Sequence, residues 1–181
     1  LDDRRLVYRE YKSANESHLW LMDVATGKSR RLTQPGGDGP VSYGNPLFAP
    51  DGKGVYAISD RGSEYRHVAF IDLASGRERA LAANLKADVE DIELSAAAKR
   101  LAFVTNDEGA HTLRFIDLDT KKEVARPALV PGVISGLRWR ADGGQTLTGI
   151  AFDVPDNWPY AYLELEDDGG RLAWTNTLFP A

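Results

Sequence analysis

One cassette recurs four times along the 181-residue chain: WLMDVATGK (Trp20 to Lys28), AFIDLASGR (Ala69 to Arg77), RFIDLDTKK (Arg114 to Lys122) and YLELEDDGGR (Tyr162 to Arg171). Aligned on Asp23, Asp72, Asp117 and Glu166, its steps are 49, 45 and 49 residues. A second marker falls between the first: APDGKGVYAIS (Ala49 to Ser59), SAAAKRLAFVT (Ser95 to Thr105) and RADGGQTLTGI (Arg140 to Ile150). Aligned on Asp51, Ala97 and Asp142, its steps are 46 and 45. Two independent markers sharing one period identify an internal repeat, and a period of roughly 45 residues is that of a β-propeller blade. A single blade cannot cover both of its own apolar faces, so the copies must stack.

Within a copy, the pattern reads as short strands joined by tight turns. Pro50-Asp51-Gly52 ends the first strand of the second unit: Pro presets φ, Asp favours the turn and Gly accepts φ > 0. In the next strand, Val55, Ala57 and Ser59 share one face and Tyr56 and Ile58 the other. Both faces are fairly apolar, as in a sheet buried on two sides. The expected fold is all-β, a propeller of about four blades of four-stranded antiparallel sheets, whole or part of a larger ring. The units span about 1–33, 46–82, 89–126 and 133–175 within one domain covering 1–181. The first unit lacks an inner strand. The tail from Asn176 to Pro180 resembles Asn45 to Ala49, and either completes that unit or begins a further blade.

Antiparallel order sorts the connections onto two faces. Turns such as PDGK, ATGK and ASGR are short and share one face. The loops Lys12 to Ser17, Gln34 to Asn45, Asp60 to Arg66, Asn106 to His111 and Asp153 to Pro159 are longer and share the other. Binding is expected on that second face, because function concentrates on loops carried by a rigid scaffold. The net charge of −5 argues against nucleic acid as a partner. No apolar run approaches the roughly 20 residues that span a bilayer, and the N-terminus has no signal-peptide pattern. A chain without cysteine has no disulfide, thiolate metal site or cysteine nucleophile, and suits cytoplasm and periplasm alike.

Three stretches are more specific than the cassette: SDRGSEYRHV (Ser59 to Val68), DVEDIELS (Asp88 to Ser95) and PGVISGLRW (Pro131 to Trp139). In sequence and order they resemble the propeller of the prolyl oligopeptidase family of serine peptidases, from about Leu6 to Thr175. The chain departs from that pattern at Ala97 and Ala98, where the family usually has Asp-Gly, and at the DDGG turn of the fourth unit. The resemblance implies the accessory half of a peptidase, whose α/β-hydrolase domain carries a Ser-Asp-His triad. The propeller of that family covers the active site and admits short peptides. By that likeness the chain gates or docks peptide for a hydrolase domain without cleaving it, and needs no cofactor. A free-standing interaction propeller similar to the Tol-system type is the alternative. A propeller cut from its ring would expose an edge strand and pair into homodimers.

Candidate chemistry is sparse. A serine-hydrolase elbow needs G-x-S-x-G between strand and helix. Gly132-Val133-Ile134-Ser135-Gly136 has one residue too many before the serine and leads into a strand, so no catalytic residue is assigned. His18, His67 and His111 sit at or just before third strands at similar places. They read as strand-edge histidines, since splayed blades do not bring them to one metal. Arg61, Glu64, Tyr65 and Arg66 form the loop richest in recognition residues. Glu90 and Asp91 precede an inner strand and are expected to reach a central channel. Trp158 and Tyr160 form a second candidate contact loop for substrate or partner.

Overall fold

The computed structural model describes residues 3–34, 39–95, 99–126 and 128–139, and the backbone of 164–166 and 172–174. Strands β1 (Arg5–Ser13), β2 (Glu16–Asp23) and β3 (Ser29–Arg31) form one antiparallel meander. Strands β4 (Tyr43–Phe48), β5 (Gly54–Ser59), β6 (His67–Asp72) and β7 (Glu78–Leu81) form the second. The third comprises β8 (Asp88–Leu94), β9 (Arg100–Asp107), β10 (Ala110–Asp117) and β11 (Lys122–Val124). A two-stranded sheet, β12 (Glu164–Glu166) with β13 (Leu172–Trp174), lies in the fourth unit. No helix occurs among the described residues. Face-stacked meanders repeated at this period define a β-propeller.

The recurring acidic residue is a turn device. Asp23 Oδ1 accepts from the Thr26 amide at 2.8 Å and hydroxyl at 2.7 Å. Asp72 does the same with Ser75 at 2.7 and 2.6 Å, and Asp117 with Thr120 at 2.8 and 2.9 Å. Each turn also closes a backbone bond of 2.8 Å onto the aspartate carbonyl, from Gly27, Gly76 and Lys121 respectively. The donor sits in the left-handed region every time, at φ 68°, 68° and 59°. Glycine takes that conformation at no steric cost, whereas Lys121 is strained there.

Alternation along β5 sets the stacking. All six of its residues are buried. Val55 and Ala57 enter a core with Leu19, Leu21 and Leu32 of the first blade, while Tyr56 and Ile58 enter a core with Val89, Ile92 and Phe103 of the third. Gly54 opens the strand where a Cβ would collide with the Phe70 ring and sit 3.0 Å from the Ile71 carbonyl oxygen.

Backbone bonds stitch the blades at one repeating position, six residues before the turn aspartate. The Ser17 amide donates to the Val41 carbonyl at 3.0 Å, the Arg66 carbonyl accepts from Val89 at 2.9 Å, and the His111 amide donates to Gly132 at 2.8 Å. Side chains reinforce each stitch. The Ser17 hydroxyl bonds Tyr43 N and O at 2.7 and 2.8 Å, and Ile134 N donates to His111 Nδ1 at 2.9 Å. Asp88 Oδ1 accepts from the Arg66 amide at 2.8 Å.

The first blade has three described strands, as expected, and its outward face is built like an interior. Register on the turn aspartate matches Leu6 to Val55 and Tyr8 to Ala57. Val55 and Ala57 are 0% exposed, but Leu6 is 49% exposed. Tyr8 stacks on Trp20 with centroids 6.5 Å apart on this same face.

Two strand expectations need correction. The inner strand of the second unit begins at Tyr43, earlier than Pro46, because Tyr43 and Gly44 pair with Ser59 and Ile58 before an irregularity at Asn45. Residues 133–139 were expected as a strand but run as irregular backbone. Residues 146–152 of the fourth unit lie outside the described residues, as do Ala96 to Ala98 and the tail from Asn176.

Candidate functional site

The long-loop face carries two polar clusters, and each holds residues singled out in the sequence. Arg61 belongs to the first. Its Nε donates to Tyr43 Oη at 2.9 Å and to Glu78 Oε2 at 3.0 Å, and one terminal nitrogen donates to the Gln34 carbonyl at 2.5 Å. Tyr43 donates its own hydroxyl to Glu78 at 2.7 Å. Burial first, and then the Glu78 carboxylate, push the Tyr43 phenol above its ordinary value. Arg61 therefore ties the 60–66 loop to β4, β7 and the exit of the first blade. Among the described residues Glu78 Oε1 is buried without a hydrogen-bond partner.

The second cluster gathers at the junction of the second and third blades. Arg66 stands 3.7 Å from Asp88 and 3.9 Å from Glu90. Glu90 accepts from Asn106 Nδ2 at 3.0 Å and lies 3.0 Å from His111 Nε2. Glu90 sits at a bulge, where the β8 register slips between Val89 and Asp91. The extra residue turns its side chain along the sheet toward Asn106 of β9 and His111 of β10. Both Glu90 and Asp91 lie within β8 rather than before it. Asp91 accepts from Asn45 Nδ2 at 2.9 Å, which links adjacent inner strands. Glu64 is exposed and Tyr65 half-buried. Trp158 and Tyr160 lie outside the described residues.

The histidines are not all equivalent. His18 and His67 stand five residues before their turn aspartates, and His111 stands six before its own. One residue on a strand reverses the face, so His111 points where Ser17 and Arg66 point. Among the described residues, no group of three or more His, Cys, Asp or Glu side chains is placed to hold a metal. Ser135 is exposed in the irregular stretch 133–139 and starts no helix.

Glu16, Arg31, Tyr43, Glu78 and Asn106 belong to no candidate motif of the sequence. Their one available signal was position, since each lies at or beside a strand end facing the long loops or the neighbouring blade.

No protein-family profile matches the chain, and no curated protein does. Solved structures do. A prolyl endopeptidase superposes with a TM-score of 0.65 over 94% of this chain at 14% identity. Prolyl oligopeptidase B from Galerina marginata gives 0.64 over 94% at 13% identity. TolB from Acinetobacter baumannii gives 0.53 over 70% at 22% identity. The chain covers 28%, 28% and 31% of those chains, under a third of each. The likeness is one of fold, shared by prolyl oligopeptidase and TolB propellers.

Proposed function

We propose that this chain is the propeller portion of a prolyl oligopeptidase-like serine peptidase, presenting its long-loop face to an α/β-hydrolase domain and gating or docking peptide there. The observation that carries the reading is the extent of the likeness: 94% of the chain superposes on a prolyl endopeptidase, against 70% on TolB. The family-like stretches support it by where they fall. Ser59 to Val68 and Asp88 to Ser95 supply Arg61, Arg66, Asp88 and Glu90, the residues that shape the loop face. Arg61, Glu64, Tyr65, Arg66, Glu90 and Asp91, with Trp158 and Tyr160, are the contact residues of this proposal. Arg61 and Glu90 act in it by holding loops in place.

The decisive experiment reads the parental gene and its product. A downstream G-x-S-x-G segment, and a product labelled by a fluorophosphonate probe, are the expected results. A reading frame without that segment, whose product resists the probe, overturns the proposal. The higher identity to TolB, 22%, favours a second reading as a free-standing interaction propeller. That reading expects the chain alone to melt cooperatively as a monomer.

A further inference from the structure

Two of the blade stitches are one device built from different chemistry. The amides of Ser17 and His111 donate to the Val41 and Gly132 carbonyls, and each side chain then grips the residue two further on. The Ser17 hydroxyl lies 2.7 Å from the Tyr43 amide nitrogen and 2.8 Å from its carbonyl oxygen. His111 Nδ1 lies 2.9 Å from the Ile134 amide nitrogen and 3.0 Å from its carbonyl oxygen. A hydroxyl accepts from one group and donates to the other at the same time. A ring nitrogen either carries a proton or does not, so it serves only one of the two.

The second ring nitrogen decides which. His111 Nε2 stands 3.0 Å from Glu90 Oε2, and the histidine side chain is 9% exposed. An ionised carboxylate only accepts, so in the neutral ring the proton resides on Nε2 and Nδ1 accepts from the Ile134 amide. In the imidazolium both nitrogens donate. Nε2 keeps Glu90, Nδ1 turns to the Ile134 carbonyl, and the Ile134 amide loses its acceptor. The other charged groups of the described elements around the ring are paired among themselves. Asp88 and Glu90 of β8 face Arg66 at 3.7 and 3.9 Å, Asp107 of β9 faces Arg114 of β10 at 3.7 Å, and Glu93 of β8 faces Arg138 at 3.7 Å.

We propose that His111 is a pH-dependent latch between the third blade and residues 131–139, holding Ile134 by its amide when neutral and by its carbonyl when protonated. Histidine is the side chain suited to such a switch. Ser17 is the proton-indifferent version of the same stitch, between the first blade and the second. The latch lies wholly within this chain, so it stands whether or not a hydrolase domain follows. No covalent step is involved.

The experiment is a titration of the full 181-residue chain by nuclear magnetic resonance, with isotope-labelled histidine rings and backbone amides, from about pH 8 to about pH 5. As His111 Nδ1 gains its proton, the Ile134 amide proton moves upfield with the same midpoint. Its protection against hydrogen exchange, corrected for the intrinsic rate, falls by about tenfold. The Tyr43 amide, held by Ser17, does neither. His111→Asn sets an amide oxygen in the place of Nδ1, an acceptor that does not titrate, and keeps the Ile134 amide bound throughout. The proposal is overturned by a His111 ring that keeps one protonation form over this range, or by one that titrates without a response at Ile134. An equal response at Tyr43 overturns it too, as does an undiminished response at Ile134 in His111→Asn. Should His111→Asn fail to fold, the comparison of Ile134 with Tyr43 in the wild-type chain decides the matter.

Discussion

At the scale of single residues, the turn aspartates explain why an acidic position marks the repeat. Hydrogen bonds from the Thr26 and Ser75 side chains hold Asp23 and Asp72 below their ordinary value, and the Thr120 amide leads the same effect at Asp117. A carboxyl depressed in the folded state stabilises the fold above its unfolded value, near 3.8, and loses that contribution as pH falls through the folded value. The urea midpoint is therefore flat above about pH 5 and declines below about pH 4, more gently in Asp72→Asn. Lys121 stands at φ 59° where the sister turns have Gly27 and Gly76. Lys121→Gly raises stability by about 0.5–1 kcal/mol, measured by urea unfolding, as relief of left-handed strain outweighs the entropy of glycine. The Tyr43 hydroxyl donates to Glu78 and accepts from Arg61 inside a half-buried cluster. Tyr43→Phe costs about 1–2 kcal/mol and loosens the 60–66 loop, which amide hydrogen exchange reads directly.

At the scale of elements, β5 is the strand on which the stack turns. Its two apolar faces were visible as a pattern, and the structure assigns one face to each neighbouring blade. Gly54 is the tightest point, caught between the Phe70 ring and the Ile71 carbonyl. Gly54→Ala destabilises the chain by about 1–3 kcal/mol, because Phe70 must leave a packed rotamer and the backbone oxygen cannot retreat. A thermal midpoint unchanged in that variant would contradict the packing described. The blade stitches were not legible in the same way. Ser17, Arg66 and His111 share a register position but no chemistry, so no residue type marks them. Likewise Glu90 reads in sequence as an acid entering a strand, and only the bulge turns it toward Asn106 and His111.

At the scale of the molecule, the first blade decides how the chain behaves alone. Its outward face repeats the plan of a buried face, with Leu6 where the second blade has Val55 and Trp20 where it has Ala69. Among the described strands, β1 is also an edge, paired only to β2. Exposed edges with apolar flanks recruit another strand. The isolated chain therefore self-associates with rising concentration in analytical ultracentrifugation, and the double variant Leu6→Lys, Tyr8→Lys shifts it toward monomer. A wild-type chain that stays monomeric at high concentration refutes this.

The amino-acid sequence alone determined the repeat, the turns and the two-faced strands, since period, turn chemistry and alternation are local properties of the chain. It did not determine which side chains meet. Arg31 meets His18 only once β3 pairs with β2, Arg61 meets Tyr43 and Glu78 only once the second sheet forms, and Arg61 reaches Gln34 only once the first two blades stack. Strand pairing brings the contacts within a blade to hydrogen-bond reach, and blade stacking brings the one from Arg61 to Gln34.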